Sequence, residues 1–287
     1  MGPREGRARW TPAPRTCRLL RAMDEASEHL ADEGWEAYDD GRIEEALGIA
    51  SQLGEDQTDR WLLETNCWRE LGDFARAESA LSRAREICHP EDFELHVAAG
   101  ELDLALWRLE EAEQHYARAL ELEEDPVALE RRALCADARG DPRLADELHA
   151  AAHALDPEVP PPPRLSTDAF EEVVDEAMGQ LPAEFRRALD TTAVVIDPMP
   201  TRALASGSHP GETPPDLLGL FVGRGLYDRT PEDSGEMPPT VYLFQRNLER
   251  AARDHEELVE QIRVTLFHEL GHALGFDEEG VDEMGLA

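Results

Sequence analysis

The chain has 287 residues, enough for two domains, and carries 63 acidic against 28 basic residues, a formal net charge of −35. All the basic residues are arginines, which reads as a coding bias and not as a mechanism. This charge repels phosphate backbones and anionic lipid, so neither nucleic acid nor a membrane surface is expected as a partner; nor does any apolar run reach the roughly 18 residues of a membrane span.

Residues 1–22 hold Arg4, Arg7, Arg9, Arg15, Arg18 and Arg21 among prolines and glycines, with one acid, Glu5. The segment has no apolar centre and makes a poor secretory signal. It is expected to be a disordered basic arm, or a non-native extension ahead of a start at Met23, and the chain is expected in the cytoplasm.

Residues 23–158 read as helical and repetitive. Four segments share a pattern: 41–46 (GRIEEA), 72–77 (GDFARA), 107–112 (WRLEEA) and 140–145 (GDPRLA). Their closing alanines, Ala46, Ala77, Ala112 and Ala145, stand 31, 35 and 33 residues apart. A period near 34 matches tetratricopeptide repeats. Ala84, Ala119 and Ala152 follow seven residues after the last three, where small residues let helices pack closely. In the first helix of each unit Gly34 and Gly100 keep the small position, and Thr65 and Ala133 stand in for it. Stacked hairpins of this kind bury a shared core and leave a groove for a protein partner. Trp35, Trp61, Trp68 and Trp107 are read as core. His149 and His153, four apart with only alanines between, are read as the surface or groove of a hairpin. Cys17, Cys67, Cys88 and Cys135 lie far apart and read as reduced, buried small residues.

The run Pro160–Pro163 cannot continue a helix, so residues 159–164 are read as a linker. Beyond it, in residues 165–287, the periodicity changes. Phe170, Val173, Val174, Ala177 and Leu181 mark an amphipathic helix capped by Ser166 or Thr167. Strands are expected at 192–197, 217–222 and 240–244, with loops at about 198–216 and 223–239. Leu258, Ile262, Leu266, Phe267, Leu270 and Leu274 then follow helical spacing, with Glu256, Glu257 and Glu260 in the first turns.

That last helix carries His268-Glu269-Leu270-Gly271-His272. Histidines four apart share one helix face, and two imidazole nitrogens at that spacing can bind one Zn²⁺. Glu269 projects toward the same cavity along another line, which suits a general base acting on metal-activated water. Gly275 can end the helix in the left-handed conformation and swing the chain back. Asp277 or Glu278 would then supply the third ligand of an open, catalytic zinc site. The spacing resembles the metzincin arrangement, with Glu278 in the third-ligand register and Asp277 as the alternative. Met284 is a candidate to pack beneath the metal, or a plain core or tail methionine.

Taken together, residues 165–287 resemble the minimal zincin-like metallopeptidases of bacteria. The residues that carry the likeness are Phe170–Val174, Leu181-Pro182, Ala193–Val195, Leu218–Phe221, Val241–Phe244 and Thr265–Gly275. The resemblance implies a helix, a small mixed sheet and an active-site helix, with zinc in a cleft beside an edge strand that pairs with extended substrate. The strand at 240–244 is the candidate for that edge. The family usually has aspartate where this chain has Glu278. Tyr227, Tyr242 and Arg246 are candidate oxyanion donors. The expected fold is therefore a helical tetratricopeptide-like array followed by a small α+β zincin-like domain. The expected function is zinc-dependent peptide hydrolysis on a peptide or protein substrate, with a protein partner held by the repeats. The alternative is a non-catalytic repeat scaffold carrying a structural zinc domain.

Overall fold

The structure, a computed structural model, describes residues 25–204, 214–223 and 239–276. The chain packs into two compact units: in the described residues, one holds 25–157 with Pro214 and Pro215, and the other holds 158–204, 216–223 and 239–276. The arm at 1–22, Cys17, Tyr227, Asp277, Glu278 and Met284 lie outside the described residues.

The first unit is all helix: α1 (Glu25–Asp39), α2 (Ile43–Ala50), α3 (Thr58–Glu70), α4 (Phe74–Ile87), α5 (Phe93–Ala105), α6 (Leu109–Leu122), α7 (Pro126–Ala138) and α8 (Pro142–Leu155). Consecutive helices pair as hairpins, and each hairpin packs on the next. Aspartates start four of them: Asp73, Asp92, Asp125 and Asp141 each accept a hydrogen bond from the amide three residues on. The turn inside each hairpin passes through a left-handed residue. Gly41, Gly72 and Gly140 have φ of 75°, 74° and 79°, and Trp107 has φ of 59°. Glycine adopts this conformation at no steric cost, whereas a tryptophan there carries about 1–2 kcal/mol of backbone strain.

Small residues bring the helices together. Ala46, Ala77, Ala112 and Ala145 are all fully buried, as are Ala84 and Ala119. A Cβ on Gly100 would stand 2.8 Å from the Tyr116 ring, and one on Gly34 would stand 2.7 Å from Leu63. Cys67, Cys88 and Cys135 are buried and form no disulfide among the described residues. Burial pushes the Cys67 thiol up to about 12 and the Cys88 thiol up to about 11. Of the described tryptophans only Trp35 is fully buried in the core; Trp61, Trp68 and Trp107 are half-buried. Arg76 stacks on Trp68, and Arg60 lies over Trp61. His149 is not a surface residue: it is 1% exposed, with Nδ1 2.8 Å from Glu130 of α7.

Ion pairs also cross the hairpins. Buried Arg69 donates to the Tyr38 hydroxyl at 2.9 Å and pairs with Glu101 at 3.8 Å. Glu101 accepts from Tyr116 at 2.8 Å and pairs with Arg131 at 2.9 Å. A histidine relay joins α4, α5 and α6. His96 Nε2 lies 3.0 Å from the Pro90 carbonyl, which can only accept, so that nitrogen carries the proton. His96 Nδ1 then accepts from His115 Nδ1 at 3.2 Å, and His115 Nε2 accepts from Arg85 at 3.4 Å. Burial, then the Arg85 charge, then His96 hold the His115 imidazole down at about 4.

The second unit contains α9 (Thr167–Gln180), α10 (Ala183–Ala188), β1 (Ala193–Asp197), β2 (Gly219–Val222), β3 (Thr240–Phe244), α11 (Gln245–Arg250) and α12 (His255–Leu274). The sheet order is β1-β3-β2, with β1 parallel and β2 antiparallel to β3. The strand at 240–244 is therefore central, not an edge. The cause is the chain path: β2 lies antiparallel on one side of β3, and β1 fills the other side in parallel register. Both faces of this strand are covered, and Val241, Leu243 and Phe244 are fully buried. Helices α9, α10 and α12 share one core of Phe170, Val174, Ala177, Phe185, Ile262 and Leu266. Phe185 and Phe267 pack ring to ring at 4.0 Å.

Glu249 of α11 is a fully buried charge that pins the start of this unit. It accepts from the Leu165 amide at 3.0 Å and from Gln245 at 2.8 Å, and it pairs with Arg164 and Arg246. Arg246, a candidate oxyanion donor, has its guanidinium committed to this network. Tyr242 lies on the central strand.

Candidate functional site

Helix α12 presents three faces, and each does different work. Leu258, Ile262, Leu266 and Leu270 are fully buried in the core. Thr265 and Glu269, one turn apart, are 7% and 9% exposed beneath β2. His268 and His272 occupy the remaining, half-buried face. Asp254 caps the helix start by accepting from the Glu257 amide at 3.0 Å.

The two histidines converge. Their Nε2 atoms stand 3.1 Å apart, with the rings nearly perpendicular at 83°. Two nitrogens bound to one tetrahedral zinc at about 2.0–2.1 Å would stand about 3.3 Å apart. The spacing of the two nitrogens suits a shared metal ion, and among the described residues no third His, Cys, Asp or Glu joins them in such a group.

The helix end orients one of the pair. Gly275 closes α12 with φ of 96°, and the Phe276 amide returns to the Gly271 carbonyl at 3.1 Å. That turn brings the Phe276 carbonyl within 3.1 Å of His272 Nδ1. A carbonyl accepts only, so Nδ1 carries a proton and Nε2, directed at His268, is the nitrogen placed for a metal. The next residues, Asp277 and Glu278, fall outside the described part, and so does the proposed third ligand.

Glu269 is held by the main chain of β2. Its Oε2 accepts from the Phe221 amide at 2.6 Å. In an antiparallel ladder, alternate residues turn their N–H and C=O groups away from the partner strand. Leu218 accepts from the Phe244 amide at 2.9 Å, so its set faces β3, and Gly219 and Phe221 face outward. Among the described residues no strand pairs with that outer edge of β2. Sequence reasoning had no signal for the Phe221 amide, because the contact is main-chain and depends on strand order.

Residues 189–286, about a third of the chain, match the family model described as Zincin-like metallopeptidase. The match contains the whole sheet, α11, α12 and the segment beyond; α9 precedes it and packs on α12 from the same unit. No curated protein matches the chain. Among the described residues no helix is long and apolar enough to cross a membrane.

Proposed function

We propose that the chain is a zinc-dependent peptidase. The observation that carries the reading is the pair of Nε2 atoms 3.1 Å apart, on a helix whose intervening Glu269 lies beside a β2 edge that no strand among the described residues covers. His268 and His272 are assigned as two metal ligands, and Glu278, or Asp277 in its place, as the third. A bound zinc ion supplies Lewis acidity and lowers the pKa of water in the site. Glu269 takes the proton from the attacking water and delivers it to the departing amine. The outward main-chain groups of Gly219 and the outward carbonyl of Phe221, whose amide is held by Glu269, are suited to align an extended peptide by strand addition.

The helical unit is assigned to recruitment. The recurrence of left-handed turns at 41, 72, 107 and 140, with buried alanines five residues after each, supports a tetratricopeptide-like array that holds a protein partner or substrate.

Elemental analysis and a peptide-library cleavage assay on wild type, His272→Ala and Glu269→Gln test this together. Wild type is expected to bind one zinc and cleave, His272→Ala to lose both, and Glu269→Gln to keep the metal while losing at least about a hundredfold in rate. Cleavage that survives in Glu269→Gln would refute the assigned base. Zinc without cleavage in any sample would favour the structural-zinc scaffold.

A further inference from the structure

Gly219 is a glycine for want of space, not for its backbone conformation. Unlike Gly223, with φ of 140°, it does not adopt a positive φ. A Cβ built on it would stand 2.5 Å from Thr265 Cγ2, 3.1 Å from the Tyr242 carbonyl oxygen and 3.2 Å from Glu269 Cγ. The position where a side chain would begin is thus filled by the Thr265–Glu269 face of α12. Two residues along the same strand, the Phe221 amide reaches Glu269 Oε2 at 2.6 Å. A strand carrying even one methyl at 219 would have to stand off from the helix by several tenths of an ångström. The amide-to-carboxylate contact is the first thing that such a shift lengthens.

We propose that Gly219 is a positioning residue for Glu269: its missing side chain lets β2 lie close enough to α12 for the Phe221 amide to hold the carboxylate. The proposal rests on Glu269 as the base of the reaction above. With Oε2 fixed by a main-chain donor, the carboxylate is held against rotation about its last torsion. Its aim then depends on how closely strand and helix pair. Misplacement of a catalytic group by about an ångström is worth up to a hundredfold in rate.

The test compares wild type, Gly219→Ala and Gly219→Ala/Thr265→Ser. The second change removes the methyl that the new Cβ meets first. Three quantities are read on each: zinc content, hydrogen exchange at the Phe221 amide, and kcat and KM on a peptide from the library screen. Gly219→Ala is expected to keep its zinc, to exchange the Phe221 amide at least about tenfold faster and to lose roughly ten- to a hundredfold in kcat with little change in KM. Thr265→Ser in that background should recover part of both losses, which a general loss of stability would not do. Unchanged exchange and unchanged kcat in Gly219→Ala would overturn the proposal, as would losses that Thr265→Ser fails to relieve. If Gly219→Ala does not fold, a main-chain ester in place of the Phe221 amide removes the donor without adding an atom. An ester variant with wild-type kcat would sink the idea. Should wild type cleave nothing, the peptidase reading fails on its own; exchange at Phe221 that responds to Gly219→Ala and is rescued still supports the positioning role.

Discussion

Glycine does two separable jobs in this chain. Gly72 has φ of 74°, and a Cβ there would meet nothing within 4 Å. Gly72→Ala is therefore expected to cost about 1 kcal/mol through the backbone alone, with the loss read from urea denaturation. A neutral result would show that the turn relaxes out of the left-handed conformation. Trp107 occupies the equivalent turn with a bulky side chain, so Trp107→Gly should lose less stability than its lost ring contacts would predict. The sequence made the turns at 41, 72 and 140 legible, because glycine punctuates each of them. It likewise made His268, Glu269 and His272 legible, because helical periodicity fixes their faces. The Phe221 amide was not legible, since every residue but proline carries one. Gly219 sat in view as an ordinary strand glycine; its role depends on which helix lies beneath it.

At the scale of elements, the three strands fall close to where alternation and β-branched content place them: 193–197, 219–222 and 240–244. Their order did not follow from those patterns. A buried strand such as 240–244 reads the same whether it is central or covered at an edge, and only the pairing of β1 and β2 decides. The short helices α10 and α11 were missed because six residues give too little periodicity to register. Within the helical unit, the His96–His115 relay makes a prediction about acid. The folded imidazole of His115 lies at about 4, below the roughly 6.5 of an unfolded histidine. Its contribution is thus fully present above pH 6.5 and is lost as pH falls toward 4, because the unfolded chain takes the proton first. Asp103, 3.7 Å from His115 Nε2 and itself raised by burial, is the carboxyl that faces the ring. The melting-temperature advantage of wild type over His115→Gln should therefore shrink between pH 7 and pH 4. A constant gap would remove His115 from the acid response.

For the whole molecule, a net charge of −35 on 287 residues opposes compaction at low ionic strength. Cross-hairpin pairs such as Arg131–Glu101 offset this only locally. Raising sodium chloride from about 0.01 M to 0.5 M shortens the screening length from about 30 Å to a few ångströms and should raise the melting temperature. A fall would mean that the ion pairs, not the excess acid, dominate the balance. The match over 189–286 and the repeats read at 41–145 divide one chain between two kinds of legibility. The motif is read from chemistry, and the array from spacing.

The grip of β2 on Glu269 through an amide has one more consequence. Every residue except proline brings a main-chain donor to 221, so, on the proposed peptidase reading, side chains at 220 and 222 can change without removing the contact to Glu269. On that reading, preference for one peptide over another and the power to cut it would rest on separate groups. Laboratory selection at these positions should change what is cut before it abolishes cutting.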